Sequence, residues 1–93
     1  MKLGRTIGSV TLSRCHPAMH AAVLRCVEPL EHIEQLEQQP LGGETLVAWD
    51  LCGSGPGDLV ALAEGPEAAR PLHPQVKPLD ASIVAILDEV RLQ

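Results

Sequence analysis

Prolines and glycines cut this chain into short apolar pieces, and that punctuation limits its fold more than any other feature. Eight prolines and eight glycines are spread through 93 residues, and the longest uninterrupted apolar runs reach only about five or six. Proline fixes φ and removes a donor, and glycine weakens the interior of regular elements. A membrane-spanning helix needs roughly 20 apolar residues in succession, so none is expected. Short strands joined by turns fit the pattern.

Five runs carry strand character. Leu3 to Ser13 is rich in β-branched residues and alternates, but its phase changes: Leu3 and Ile7 share one face, Val10 and Leu12 the other. The switch falls at Gly8-Ser9, which predicts a bulge or a bend at a barrel corner. Ala22 to Val27 reads as the second strand, stopped by Pro29, and Thr45 to Leu51 as the third. The turn Gly53-Ser54-Gly55-Pro56-Gly57-Asp58 leads into a fourth strand, Leu59 to Glu64. Gly65 to Arg70 forms about one helical turn, Pro71, Pro74 and Pro78 keep the next stretch extended, and Ser82 to Leu87 closes the set. Between the second and third strands, Glu28 to Glu44 is acidic. The spacing of Leu30, Ile33 and Leu36 allows a short helix ended by Pro40 and Gly42-Gly43, and a hairpin loop is equally compatible. Five short strands predict an all-β barrel forming one domain over residues 1–93.

The core of such a barrel is thin. Trp49 is the sole aromatic residue, with no Phe and no Tyr. A chain this short buries roughly 60–65% of its unfolded surface, and disulfides, a metal or self-association usually add the missing stability. The last strand points to the third of these. Ile83, Ala85 and Leu87 lie on one face and Val84 and Ile86 on the other, and both faces are apolar. One face of a barrel strand fills the interior, so Val84 and Ile86 face outward and require cover, most simply another subunit.

Charge excludes several partners. Seven Lys and Arg stand against twelve Asp and Glu, and no cation occurs between Arg25 and Arg70. Nucleic acid needs a cationic footprint, and single strands need aromatic platforms as well; anionic lipid likewise disfavours this balance. The N-terminus Met1-Lys2-Leu3-Gly4-Arg5 has no apolar stretch behind it, so no signal peptide is expected. Cys15, Cys26 and Cys52 are odd in number and irregularly spaced, which fits buried free thiols in a cytosolic protein better than a disulfide framework.

Three constellations bear on chemistry. Cys15, His16 and His20 cluster in one loop, with Cys26, His32 or His73 available to complete a metal site or a Cys–His nucleophile. No C-x-x-C pair is present and Pro17 breaks a continuous face, so ordinary loop duties are the simpler reading. The glycine turn lacks the Lys and Ser/Thr of a phosphate loop and ends in Asp58, which repels phosphate. Asp50 and Asp58 flank that turn; an acid pair is conceivable, but turn and capping duties are favoured. The acids at 28, 31, 34 and 37 read as a solvated face, and Trp49 as packing in the core or at an interface.

The ordered set Met1 to Val10, Val27-Glu28-Pro29-Leu30, Leu46 to Asp50, Gly53 to Asp58 and Pro78 to Asp88 resembles the EutN/CcmL family, the vertex proteins of bacterial microcompartment shells such as carboxysomes. The resemblance spans essentially the whole chain. It implies a small five-stranded OB-like β-barrel with one short helical turn, assembled as a ring. It further implies a non-enzymatic structural role without cofactors: a homopentamer that caps shell vertices in the bacterial cytoplasm and contacts hexagonal shell proteins. Trp49, Gly53, Ser54, Gly55, Pro56, Gly57 and Asp58 are then candidates for a subunit contact or an axial turn. The rival readings are an OB-fold module for oligonucleotide or sugar and a small Cys/His metal protein. The chain also departs from the family: Cys15 stands where it often has Lys, Ala21 where it often has Gly. Trp49 and Cys52 replace smaller apolar residues, and Gly65 to Arg70 replaces a Ser-rich stretch.

Overall fold

The computed structural model describes residues 1–34 and 44–91. Its strands are β1 (Lys2–Val10), β2 (Leu24–Pro29), β3 (Leu46–Asp50), β4 (Leu59–Glu64) and β5 (Ala81–Ile86), with 3₁₀ segments at Pro17–Met19 and Gly65–Leu72. They close into a barrel in the order β1-β2-β3-β5-β4. Neighbours run antiparallel except β3 and β5, which are parallel and share two register pairs, Trp49↔Ser82 and Asp50↔Ile83.

The phase change in β1 is a bulge, one residue before the expected Gly8-Ser9. Thr6 pairs with Val27 and Gly8 with Cys26, leaving Ile7 as the extra residue. A bulge reverses which side of the strand the later residues face. Leu3, paired with Ala61, and Val10, paired with Leu24, therefore both lie on the outer wall. Inside the barrel β1 contributes Gly4 and Thr6, both buried. The glycine is required by space: a Cβ there would stand 2.7 Å from Val27 Cγ1 and 3.2 Å from Leu62 Cδ1.

Val27, Ala48, Val60, Leu62, Ala81 and Ile83 form the core, an all-aliphatic cluster. At about 25 cal/mol per Å² of apolar area, side chains of this size contribute through number, without the large areas of aromatic rings. Trp49 stands outside this cluster. Successive strand residues face opposite ways, and Ala48 points inward, so Trp49 lies on the outer wall, yet it is only 9% exposed. The second 3₁₀ segment packs on β4 and β5 and buries Ala68.

Several expectations need correction. Pro29 is the last residue of β2 and does not stop the strand before Glu28. It fits because the ladder continues past it through the Leu30 N–H, which donates to the Leu3 carbonyl at 2.8 Å. A second bulge, at Val84, alters β5: Ile83 pairs with Leu62, Ala85 with Ala61 and Ile86 with Val60. Directly paired side chains share a face, so Ile86 continues the inner face of Val60 to the barrel mouth, where it is 44% exposed, and Val84 is half-buried at the bulge. The alternation expected for Val84 and Ile86 on one outward face is thereby replaced. The thiols of Cys15 and Cys52 are exposed and Cys26 is half-buried, against the expectation of buried cysteines; all three are free. The short helix or hairpin expected between Leu30 and Gly43 falls largely on residues 35–43, outside the described residues.

Candidate functional site

The turn between β3 and β4 is held by two carboxylates and one hydroxyl. Asp50 ends β3 with its side chain fully buried. Its Oδ2 accepts from the Ser54 N–H at 2.8 Å, the Ser54 hydroxyl at 3.0 Å and Arg25 Nε at 3.3 Å, and Oδ1 accepts from the Cys52 N–H at 3.1 Å. Short acidic side chains serve backbone donors two to four residues on in this way. At the other end of the turn, Asp58 Oδ2 accepts from the Gly55 N–H at 2.7 Å. The two aspartates thus brace successive halves of one turn, the capping role favoured over an acid pair.

Thr6 ties the turn to β1. Its hydroxyl donates to the Gly55 carbonyl and accepts from the Asp58 N–H at 3.1 Å. Its main chain adds two bonds, Thr6 N–H to Asp58 O at 2.9 Å and Gly57 N–H to Thr6 O at 2.8 Å. Arg5 Nη1 donates to the Gly57 carbonyl at 3.2 Å. Gly53 and Gly57 adopt φ of +75° and +82°, the left-handed region that side chains disfavour. A chemically plain sequence is therefore fixed in one shape at one mouth of the barrel, with Pro56 and Gly57 exposed at its tip.

Trp49 lies on the adjoining outer wall. Lys77 Nζ stands 5.9 Å from its ring centroid and also donates to the Ala18 carbonyl at 3.0 Å. One ammonium thus fastens the 73–79 stretch over the ring and onto the 17–19 segment. In that segment the Ala18 N–H donates to His16 Nδ1 at 3.0 Å, so this imidazole nitrogen serves as a local cap. Cys15 and His20 share the loop with His16, but among the described residues no three His, Cys, Asp or Glu side chains converge as a metal group. Neither Thr6 nor Lys77 is evident from the sequence as a site residue. For Thr6 the available signal was a polar residue in phase with Gly4 on the interior face of a strand.

Closed on itself, braced at one mouth and apolar along part of its outer wall, this is a small all-β barrel of the scaffold class. Its distinctive features are rigid surfaces. The family model described as "Ethanolamine utilisation protein EutN/carboxysome" matches residues 1–88, and the chain belongs to that family. The carboxysome shell vertex protein CcmL of Synechococcus elongatus is 27% identical over 93 residues, covering all of this chain and 89% of that protein. The bacterial microcompartment shell vertex protein EutN of Salmonella typhimurium is 29% identical over 90 residues, covering 97% and 86%. Among solved structures, the GrpN pentameric microcompartment shell protein from Rhodospirillum rubrum superposes with a TM-score of 0.82 at 31% identity, covering all of both chains.

Proposed function

We propose that this protein, as one domain over residues 1–93, forms a homopentamer that caps the vertices of a bacterial microcompartment shell in the cytoplasm. The observation that carries this reading is the full-length likeness to a pentameric shell protein at 31% identity, joined to the family match over residues 1–88. The role is structural, not enzymatic: the polar side chains of Asp50, Thr6 and Asp58 are engaged by the backbone of the turn they brace and by Ser54 and Arg25. Flat hexagonal tiles close into a shell only where five-fold units introduce curvature, so hexagonal shell proteins are the expected neighbours. The turn from Gly53 to Asp58 lies at the subunit contact or near the ring axis, with Trp49 supporting it from the adjoining strand.

Sedimentation or native mass spectrometry tests the ring. Five copies of the 9.9 kDa chain weigh about 50 kDa. A stable monomer at micromolar concentration would overturn the reading. Co-expression with hexagonal shell proteins tests the vertex role: closed particles are expected with the protein present, and sheets or open tubes without it.

A further inference from the structure

Among the large apolar side chains exposed in the described residues, Ile7, Val47 and Ile86 sit on strands, at 47%, 48% and 44% exposure. The other exposed large apolar side chains among the described residues, Met1, Leu12, Val23 and Val76, lie in connecting segments or at a terminus. Strand positions in a closed barrel are held rigidly, so exposed apolar groups there are preformed contact surface.

The three residues form two separate patches. Ile7 is the bulge residue beside Gly8; Gly8 pairs with Cys26 and Cys26 with Val47. Ile7, Cys26 and Val47 therefore make an apolar band across the outer wall of β1, β2 and β3. Gly8 leaves the band open: even a Cβ built there would stand 4.0 Å from the Cys26 Cβ. Ile86 is on the far side. β2 neighbours only β1 and β3 in the barrel, which places β4 and β5 opposite it. Ile86 pairs with Val60, and the next rung is the Leu87 N–H donating to Leu59 O at 2.8 Å. Leu59 follows Asp58, so Ile86 shares its barrel mouth with the glycine turn.

Ring symmetry gives this separation its meaning. A cyclic assembly of more than two copies uses two different surfaces on every protomer, each meeting the other kind on its neighbour. Every strand has a neighbour on both sides in the closed barrel, so contacts between protomers are expected to be chiefly side chain against side chain. Resting on the ring reading above, we infer that the Ile7–Cys26–Val47 band of one protomer packs against Ile86 and the glycine turn of the next.

The native thiol allows a direct test. In a Cys15→Ser, Cys52→Ser background Cys26 is the only cysteine, and Ile86→Cys adds its intended partner. Oxidation with copper phenanthroline joins two thiols as a disulfide, the copper–oxygen couple taking the two electrons and the protons passing to buffer. The expected result is a non-reducing ladder of bands ending at five copies, absent from the background that retains Ile86. Val47→Glu and Ile86→Glu are each expected to give monomers with an unchanged far-UV spectrum. Val76→Glu, on a loop side chain 89% exposed and outside both patches, is expected to keep the ring. A ring of about 50 kDa that yields no ladder, or that survives Val47→Glu, overturns the assignment of faces and leaves the ring standing. A monomeric unmodified chain overturns the ring itself.

Discussion

Replacing Asp50 by alanine tests whether the glycine turn is held by a buried carboxylate or by its own backbone preferences. The side chain is fully buried and accepts four hydrogen bonds. Of the four donors, the Cys52 N–H belongs to an exposed residue and can turn to water, so its loss costs little. The Ser54 N–H and hydroxyl belong to a residue 2% exposed, and each loses its acceptor. An unsatisfied buried polar group costs about 1–3 kcal/mol. The Arg25 guanidinium, 25% exposed, loses its counter-charge but keeps partial access to water. The two Ser54 groups sum to about 2–6 kcal/mol, which brackets the range of about 3–5 kcal/mol found when one member of a buried ion pair is removed, and a loss of about 3–5 kcal/mol is expected. For a domain of this size that corresponds to a fall of roughly 12 °C or more in Tm. Urea unfolding followed by Trp49 fluorescence, at one fixed protein concentration, measures it. Asp50→Asn keeps the shape and one acceptor oxygen, and is expected to lose about half as much. A loss below about 1 kcal/mol for Asp50→Ala would refute the reasoning, because the bonds would then be replaceable by water.

The remaining predictions concern backbone and packing. Ala21 has φ of +63°, in the left-handed region; relief of a strain of about 1–2 kcal/mol, less the entropy of a glycine, makes Ala21→Gly stabilising by about 0.5–1 kcal/mol in the same unfolding assay. Gly4→Ala puts a methyl 2.7 Å from Val27 Cγ1 and is expected to cost about 1–3 kcal/mol through overpacking. Thr6→Val removes the hydroxyl that joins Gly55 and Asp58 to β1; it is expected to cost about 1–3 kcal/mol and to speed hydrogen exchange at the Asp58 amide. Leu62→Ala empties the centre of the core and is expected to cost about 2–5 kcal/mol, with Tm as the readout.

The sequence was most legible where local chemistry and tertiary role agree. β4 runs from Leu59 to Glu64 as expected, because a turn and a 3₁₀ segment bound it sharply. The bulge in β1 was signalled by the reversal of apolar phase and missed its place by one residue. The bulge in β5 had no such signal: Ser82 to Leu87 is apolar at nearly every position, so no alternation exists to reverse. Trp49 was ambiguous for a different reason. A tryptophan in a five-residue strand reads as core, yet the narrow barrel takes Ala48 inside and leaves the ring to the outer wall under Lys77. Thr6 and Lys77 act through hydrogen-bond partners about 50 or more residues away, and no local pattern encodes such pairings. The departure at Ala21 from the glycine that the resemblance implies has a physical meaning, since the residue adopts a positive φ that glycine takes without strain.

The seam between β3 and β5 has a dynamic consequence. It is the parallel junction of the barrel and rests on two register pairs, whereas β5 is joined to β4 by five. Closing it brings Asp50 to Ile83, which costs loop entropy that hairpin contacts such as those of β1 and β2 avoid. With the fewest register pairs of the barrel, this junction is expected to be the first to open in the native state, with β5 leaving as a flap still attached to β4. Asp50 sits on the seam and also anchors the turn, so each opening loosens the barrel mouth. A ring that seats this mouth against a neighbour would act as a latch on the flap, and the protomer would breathe least where the assembly most needs it stiff.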